Sequence, residues 1–482
     1  MSGHWRLAGV FGLGIVVAVL FWTVFSAPFP LAEFCTRRHP TWVLPLFERP
    51  RYTAVAGEMY LLTMTAASLC YLGAVWLARR VRSWTATLLL VGVLPLGLAL
   101  VLVPGYPLLS SDVFKYVFDG RILAIYRENP FLHVPAEYPQ DRFYDLVYWK
   151  AVVNAHGPLW RLAEASSALV GGDSCRDAIL AMKLWPAAAY LATTGCLFAM
   201  LRAWQPERAI WGTMLFAWNP LVALEALQNG HNDVVAALPT VGATWLVLRG
   251  RVRWGFVLLA FGALVKPLAL VVAPILFAVA VRRAEHARRN VAWGIGIGGL
   301  VLALAHLPFW EGPATLQGLA RGNIFSASPA ELLLLALQGA GVPLELAILV
   351  AASFAAGLFV LGLVPVLLAV WAGRLSAVVA SLSVFFLYAL IGAQWFNPWY
   401  LLWLAPFAAL VPEAAPRALG IGFSLLAPLV YLLQYQALAV VMAVFLPMAI
   451  LAVHWRAWLG WPGPTDGFGP AEAAPWPTPG SP

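Results

Sequence analysis

Residues 84–121 read WTATLLLVGVLPLGLALVLVPGYPLLSSDVFKYVFDGR and join a long apolar run to a short polar segment. The run at 84–104 has no charged residue and is long enough to cross a bilayer as a helix, which takes about 20 residues. The segment that follows carries Asp112 and Asp119. This stretch therefore predicts a membrane helix that leaves two carboxylates where the chain emerges from the bilayer.

Residues 112–127 have the periodicity of an amphipathic helix. Steps of three and four form a polar face from Asp112, Lys115, Tyr116 and Asp119. The opposite face is apolar and consists of Val113, Phe114, Val117, Phe118 and Ile125. We therefore expect an interfacial helix in a large outer loop, with its apolar side in the lipid boundary and its carboxylates turned toward a bound molecule.

The whole chain has the composition of a polytopic membrane protein. Hydrophobic residues make up 62%, charged residues 11%, and the mean hydropathy is +0.80, which exceeds what a soluble globular chain buries. The net charge of +8 does not indicate nucleic-acid binding, because the arginines stand in short clusters between apolar segments. The sequence predicts an all-α fold of about 12 to 14 transmembrane or re-entrant helices.

Clusters of arginine set the expected orientation. Under the positive-inside rule, clusters such as 79–82 and 282–289 face the cytoplasm, and residues 105–177 remain outside as the longest polar stretch. We expect one transmembrane domain at 1–459. Residues 460–482 are rich in Pro and Gly, which predicts a disordered cytoplasmic tail.

The apolar segment at 254–281 is interrupted by Lys266 and Pro267. A single crossing would place the following arginines outside, against every other basic cluster. Two short arms would instead form a hairpin with this dipeptide at its tip, since proline ends a helix and a buried lysine needs an anionic partner or water. One long kinked helix with a snorkelling lysine is the alternative.

The four cysteines divide into two pairs. Cys70 and Cys196 lie inside predicted spans and are expected to be packing residues. Cys35 and Cys175 lie in predicted outer loops, where they could form a disulfide or remain free thiols. The Cys and His spacings do not indicate a metal site.

A second polar set lies at 218–233, in WNPLVALEALQNGHND. Its side chains could hold hydroxyl groups or a phosphate, and the alternative is a hydrated turn whose polar residues cap two helices. Glu225 lies within a predicted span, which favours a functional cavity. The outer loop at 128–160 is rich in aromatic and acidic residues that could bind a sugar or seat the loop on the bilayer.

Five pieces of the chain carry a resemblance to a known family: SSDVFKYVFDGR, ENPF, HGPLW, WNPLVALEALQNGHND and ALVKPLALVVAP. In this order, over residues 105–405, they resemble the bacterial C-type glycosyltransferases, and most closely the polyprenol-phosphomannose-dependent alpha-mannosyltransferases of the cell envelope. The resemblance implies inverting transfer of a sugar, with mannose favoured, from a polyprenyl phosphate to a glycan or glycolipid acceptor. It also implies a multi-pass enzyme of the plasma membrane whose active site is extracytoplasmic.

The resemblance gives Asp112 the place of the family's catalytic aspartate. A sugar hydroxyl is a poor nucleophile, so a carboxylate must take its proton as the anomeric carbon is attacked. Asp119 lies about 10.5 Å further along the helix and either orients the acceptor or pairs with Lys115. Lys266 is the best candidate to stabilise the leaving phosphate.

The expected substrate contacts form a larger set. They are Asp119, Lys115, Tyr116, Asn129, His156, Glu225, His231, Asn232, Asp233 and Lys266. His156 stands where the family pattern has a tyrosine before Gly-Pro. The expected partners are the lipid-linked donor, the acceptor and the bilayer; a divalent cation is left open, and no other cofactor is indicated. The alternatives are a lipid-linked sugar flippase or transporter and a glycan ligase or polymerase.

Overall fold

The computed structural model describes residues 3–35, 53–153, 155–283, 287–320, 324–433 and 436–454. Within these ranges the chain forms helices and turns but no strand, and extended backbone pairs only in two isolated bridges, Pro30 with Gly105 and Ser326 with Trp395. The predicted all-α fold is confirmed. The tail predicted at 460–482 lies outside the described residues.

The chain divides into two compact units. The first consists of residues 1–238, 261–268 and 300–320, and the second of 239–260, 269–299 and 321–482. The α-helices up to residue 248 are α1 Gly3–Phe21, α2 Leu31–Phe34, α3 Thr53–Ala78, α4 Trp84–Thr87, α5 Leu94–Leu102, α6 Asp112–Arg121, α7 Pro158–Gly171, α8 Cys175–Trp204, α9 Ala209–Ala217, α10 Pro220–Ala223 and α11 Asp233–Leu248. The later ones are α12 Val252–Val265, α13 Ala273–Arg283, α14 Ala287–His306, α15 Pro329–Gly339, α16 Leu344–Trp371, α17 Ala377–Leu387, α18 Leu401–Leu410, α19 Ala414–Leu426, α20 Val430–Leu433, α21 Ala437–Val440 and α22 Leu446–His454. The single domain at 1–459 stays a prediction.

Several helices have the length and hydropathy of membrane spans. Among the described residues these are His4–Ser26, Gly57–Ala78, Trp84–Leu102, Cys175–Trp204, Arg288–Phe309, Leu344–Trp371 and Ala414–Leu433. An eighth candidate joins Pro206–Ala217 to Pro220–Gln228 through a bend of 54°. The protein is therefore a polytopic membrane protein, and the expected count of about 12 to 14 crossings stays a prediction.

The bend in the eighth candidate has a local cause. Pro220 has no N–H group and cannot continue the hydrogen bonds of α9. The side-chain oxygen of Asn219 accepts hydrogen bonds from the backbone N–H groups of Leu221 (3.1 Å) and Val222 (3.4 Å), and so caps α10. A proline and a capping asparagine thus start a new helix axis.

The helix α6 forms where the periodicity predicts it and continues through a π-helical turn at Ile122–Tyr126. Both of its faces are buried, including the apolar residues Val113, Phe114, Val117 and Phe118. A Cβ atom on Gly120 would lie 2.1 Å from the backbone oxygen of Glu164 in α7, so the two helices touch through their backbones. The structure therefore corrects the expected interfacial helix over α6, because protein rather than lipid covers these four residues, whereas Ile125 in the following turn is 45% exposed.

The chain breaks at Lys266, as the sequence predicts: α12 ends at Val265 and a 3-10 turn follows at Pro267–Val272. In the second unit, a Cβ on Gly294 would contact Arg253 and Phe256, and one on Gly298 would contact Phe256 and Ala260. Since both residue numbers increase together along this contact, α14 runs parallel to α12. This parallel direction agrees with the predicted hairpin, which stays a prediction.

The second unit also has an aromatic core. The rings of Phe396 and Phe423 are stacked with centroids 5.6 Å apart, and Phe445 meets Phe396 edge-on at 5.1 Å. These contacts join the turn before α18 to α19 and to the π-helical turn before α22. Aromatic pairs in such offset or edge-on geometry add to the stabilisation from burial.

Cys35 and Cys175 form a disulfide, with their Cα atoms 5.7 Å apart. It connects the residue after α2 to the first residue of α8, both within the first unit. Cys70 and Cys196 are free and lie in spanning helices. The disulfide settles the pairing that the sequence leaves open.

Candidate active site

Four separated segments of the first unit converge on one polar site. They are the start of α6, the turn at 224–233, the end of α12 and the His156-Gly157 turn before α7. The Gly157 N–H donates to the Val265 oxygen at 3.1 Å, and a Cβ on Gly157 would lie 2.2 Å from the Leu264 oxygen. The HGPLW turn is therefore pressed against the residues just before Lys266.

A carboxylate and an imidazole meet at the start of α6. The Nε2 atom of His231 lies 4.0 Å from Oδ2 of Asp112, and its Nδ1 atom lies 3.0 Å from Oε2 of Glu225. Asp112 is 25% exposed, whereas His231 and Glu225 are fully buried. The Nδ1 side of the ring thus faces the Glu225 carboxylate and also the Glu225 backbone oxygen, at 3.3 Å, while the Nε2 side faces Asp112.

Glu225 is itself held in place by an amide. The Nδ2 group of Asn229 donates to Glu225 at 2.9 Å, and the Asn229 oxygen accepts from the backbone N–H of Leu109 at 3.1 Å. This chain of contacts ties the π-helical turn at Leu224–Gln228 to the segment before α6. An intramembrane carboxylate with oriented partners on both sides fits the functional interpretation of Glu225.

Asp233 and Lys266 form the second charged pair of the site. The Lys266 ammonium lies 2.7 Å from Oδ1 of Asp233. Asp233 is fully buried, and the Lys266 side chain is 19% exposed. The anionic partner that the sequence requires for a buried lysine is thus the first residue of α11.

Tyr116 lies beside Asp112 and within the electrostatic influence of Asp233. It hydrogen-bonds to Asp112, and burial raises its pKa well above the usual value, with a further contribution from the carboxylates of Asp112 and Asp233. Its ring lies edge-on to His156 at 5.2 Å and to Trp160 at 5.3 Å. A tyrosine that stays neutral keeps a hydroxyl hydrogen that it can donate to the Asp112 carboxylate.

Lys115 and Asp119 lie in a buried network next to these pairs. Asp119 pairs with Lys115 and accepts from Arg161 at 2.7 Å, and Arg161 donates to Glu164 at 2.9 Å. His156 lies 3.6 Å from Glu164. Of the two roles expected for Asp119, the structure shows the pairing with Lys115, and burial keeps both side chains from solvent.

Burial also shifts the ionisation of this network. It raises the pKa of Glu164 and lowers the pKa of Lys115, since both side chains have lost their hydration. Removing any one member would leave an unpaired charge behind it. The network therefore fixes α6 on α7 and, through α6, the position of Asp112.

Asn129 contacts the segment after α14 rather than the cluster around Asp112. Its Nδ2 group donates to the Phe309 oxygen at 2.8 Å and to the Glu311 carboxylate at 2.9 Å, and its own oxygen accepts from the Phe131 N–H at 3.1 Å. These contacts dock the ENPF turn on the segment after α14. The observed contacts of Asn129 are structural rather than contacts with the site.

Sequence reasoning missed three buried charged residues. Arg161 and Glu164 lie in α7, and Lys183 lies in the span α8, where it donates to the carbonyl oxygens of the segment before α6 at 2.6–3.2 Å. Charges within apolar helical stretches were the available signal. Over the described part of the chain, no group of three or more His, Cys, Asp and Glu side chains could hold a metal ion.

The fold and this cluster together define an all-α polytopic membrane protein with a polar site assembled from four segments. Residues 7–282 match the family described as alpha-(1->6)-mannopyranosyltransferase, N-terminal domain. Because the match covers more than half of the 482 residues, the chain belongs to this family. It is therefore a glycosyltransferase, specifically a mannosyltransferase, which acts on a sugar donor and a glycan acceptor.

The family match confirms the resemblance to C-type alpha-mannosyltransferases. It also includes every residue of the cluster from Asp112 to Lys266. No curated protein and no solved structure matches the chain.

Proposed function

We propose that this mannosyltransferase takes mannose from a polyprenyl-phosphate donor and transfers it, with inversion, to a glycan or glycolipid of the cell envelope. Asp112 takes the proton of the acceptor hydroxyl while that oxygen attacks the anomeric carbon. The bond between the anomeric carbon and the phosphate oxygen breaks, and polyprenyl phosphate leaves with the electron pair. Atoms and charge balance without a further reactant.

The exposure of Asp112 is the observation that carries this proposal. The other carboxylates around the site, Glu225, Asp233, Asp119 and Glu164, are fully buried, whereas Asp112 is 25% exposed. A general base must come within hydrogen-bonding distance of a hydroxyl that arrives from outside. Asp112 is also the carboxylate toward which His231 and Tyr116 are directed.

Lys266 supplies the positive charge for the leaving phosphate. Its side chain is partly exposed, and its pair with Asp233 holds the ammonium at the end of α12. Cations positioned where negative charge develops lower the barrier of such a transfer. The fully buried Lys115, in contrast, pairs with Asp119 and serves the packing of α6.

The disulfide supports an active site on the outer side of the plasma membrane. Disulfides persist in oxidising compartments and are rare in the cytoplasm. The outer loop that contains Asp112 and α7 ends close to this disulfide, because Cys175 lies four residues after Gly171, the last residue of α7. We therefore place residues 105–177 outside, as the arginine clusters predict.

The test of the donor uses membranes that contain the protein and a panel of radiolabelled sugars. Polyprenyl-phosphate mannose should give a labelled glycan product, polyprenyl-phosphate glucose should not, and GDP-mannose should be used only after conversion to the lipid form. Direct use of GDP-mannose by the purified enzyme would overturn the lipid donor. Efficient use of a lipid-linked oligosaccharide would favour a ligase or polymerase, while the family argues against a flippase.

A further inference from the structure

Asn232 stands out among the polar residues of the site because its side chain has no partner. It is fully buried, and neither its amide nitrogen nor its side-chain oxygen makes a hydrogen bond within the described structure. The neighbouring amides of the same turn are better satisfied: Asn229 uses both side-chain atoms, and the Gln228 nitrogen donates to the oxygens of Phe25 and Tyr106, although the Gln228 side-chain oxygen also makes no hydrogen bond in the described structure. A buried carboxamide without partners is costly unless a ligand completes it.

Asn232 lies at the start of a helix, where an asparagine side chain would be expected to cap the helix. It directly precedes α11, and its backbone oxygen accepts from the N–H groups of Val235 at 3.0 Å and Ala236 at 3.1 Å. Asparagine at a helix start usually caps the helix with its side chain, as Asn219 does at α10. The Asn232 side chain makes no such bond, so helix capping does not account for it.

Asn232 is flanked in the sequence by the residues that contact the two proposed reacting groups, Asp112 and Lys266. The residue before it, His231, faces Asp112 at 4.0 Å, and the residue after it, Asp233, holds Lys266 at 2.7 Å. In an inverting transfer, the acceptor and its base approach one side of the sugar and the phosphate leaves from the other. In the proposed mechanism the transferred sugar therefore lies between Asp112 and Lys266, and Asn232 is the residue between the two that contact these groups.

We propose that the Asn232 carboxamide binds hydroxyl groups of the mannosyl group being transferred and selects the sugar. The carboxamide is uncharged and offers one acceptor oxygen and two N–H donors, which match neighbouring hydroxyl groups better than a phosphate or a cation. The inference rests on the proposed placement of the active site at Asp112 and Lys266. It adds a specificity-determining residue to that site.

The test combines removal of the Asn232 carboxamide from the enzyme with removal of single hydroxyl groups from the sugar. Wild type and Asn232→Ala are assayed with polyprenyl-phosphate mannose and with its monodeoxy analogues at C2, C3, C4 and C6. For wild type, loss of the contacted hydroxyl should lower kcat/KM by about 10- to 100-fold. For Asn232→Ala, the same analogue and the parent donor should have nearly equal kcat/KM, because the contact is already lost.

Asn219→Ala is the matched control, because it removes a buried asparagine whose role is helix capping. It should lower transfer from the parent and from each analogue by the same factor. Asn232→Ser, which keeps a smaller polar group, serves if Asn232→Ala does not insert. If Asn232 variants retain the wild-type ranking of all analogues, the proposal is wrong.

The same series separates this inference from the proposed donor. Each analogue is also prepared as the GDP-linked sugar and assayed with the purified enzyme. Activity of wild type with the GDP-linked series alone would overturn the polyprenyl-phosphate donor, yet the loss of discrimination in Asn232→Ala would still support the mannosyl contact. If Asn232→Ala still discriminates among the deoxy analogues as wild type does, in whichever series is active, the contact between Asn232 and the mannosyl group is wrong. The assignment of the donor is not affected by that result.

Discussion

The imidazole of His231 lies between two carboxylates, 3.0 Å from Glu225 on its Nδ1 side and 4.0 Å from Asp112 on its Nε2 side. The inner carboxylate is fully buried and the outer one is partly exposed. In this order the buried carboxylate holds the ring from within, and Asp112 stays partly exposed, where the proposed acceptor would arrive. The two carboxylates therefore have different roles in the proposed mechanism.

Asp112→Asn should abolish mannosyl transfer while the protein still inserts and folds. The amide keeps the shape of the side chain but cannot take a proton, so we expect kcat to fall by about 10²- to 10⁴-fold. Transfer from radiolabelled donor is the measurement. Asp145→Asn, an exposed aspartate of the same loop, is the control and should remain active. Full activity of Asp112→Asn would exclude it as the base.

Glu225→Gln should lower kcat and change the donor KM little. The glutamine cannot accept the Nδ1 hydrogen as strongly, so the His231 ring loses its fixed orientation, at a cost of about 10- to 100-fold. Steady-state kinetics separate the two parameters. The control is Glu137→Gln, since Glu137 makes a similar contact with His133 at 2.6 Å on the exposed loop. A rise in KM alone would point to donor binding instead.

Lys266→Ala should raise the apparent KM for the donor, because the leaving phosphate loses its cation. It would also leave Asp233 buried without this partner. The double variant Lys266→Met with Asp233→Asn removes both charges and should recover folding without recovering donor affinity. Lys150→Ala, on the outer loop, is the control. Wild-type donor affinity in both variants would rule out the phosphate contact.

Arg161→Met should destabilise the protein strongly. It leaves Asp119 and Glu164 buried without their shared partner, at a cost of about 3–5 kcal/mol. Thermal unfolding in detergent is the measurement. Arg142→Met breaks a pair with Asp173 whose side chains are 58% and 69% exposed, so its cost should be below about 1 kcal/mol. Equal losses of thermal stability in the two variants would contradict the conclusion that Arg161 belongs to a buried network of charges.

Cys35→Ser should expose the thiol of Cys175 to the outside of the cell. An impermeant maleimide added to intact cells should then label the protein, whereas wild type, with the disulfide intact, should not react. Cys70 and Cys196 lie in spanning helices in both forms and serve as internal controls. Labelling that requires permeabilised membranes would place this face in the cytoplasm.

Much of the fold follows from local sequence patterns. Hydropathy identifies the spans, because each apolar segment must satisfy its own backbone hydrogen bonds in lipid and therefore forms a helix. The periodicity at 112–127 predicts α6 and its paired Lys115 and Asp119, and Pro267 predicts the break after Lys266. These features depend on residues within one or two helical turns of each other.

The environment of those helices could not be predicted in the same way. An amphipathic pattern indicates that one face is apolar, but lipid and protein can both cover such a face, and here α7 and its neighbours do. Arg161 neutralises Asp119 from 42 positions away. Asn219 and Asn232 are both asparagines directly before a helix, yet only the Asn219 side chain caps its helix. Residue type and position therefore do not predict the difference, which depends on the surrounding structure.

The sequence by itself determined the class of protein, its helices and the identity of the chemical groups at hand, since these depend on hydropathy, helical period and side-chain type. Only the tertiary structure decided which charges are enclosed and which remain accessible. Asp112, His231 and Lys266 are far apart in the chain, and their meeting depends on helix packing. Asp112 differs from Asp119 because packing leaves one carboxylate at the edge of the site and encloses the other between two cations.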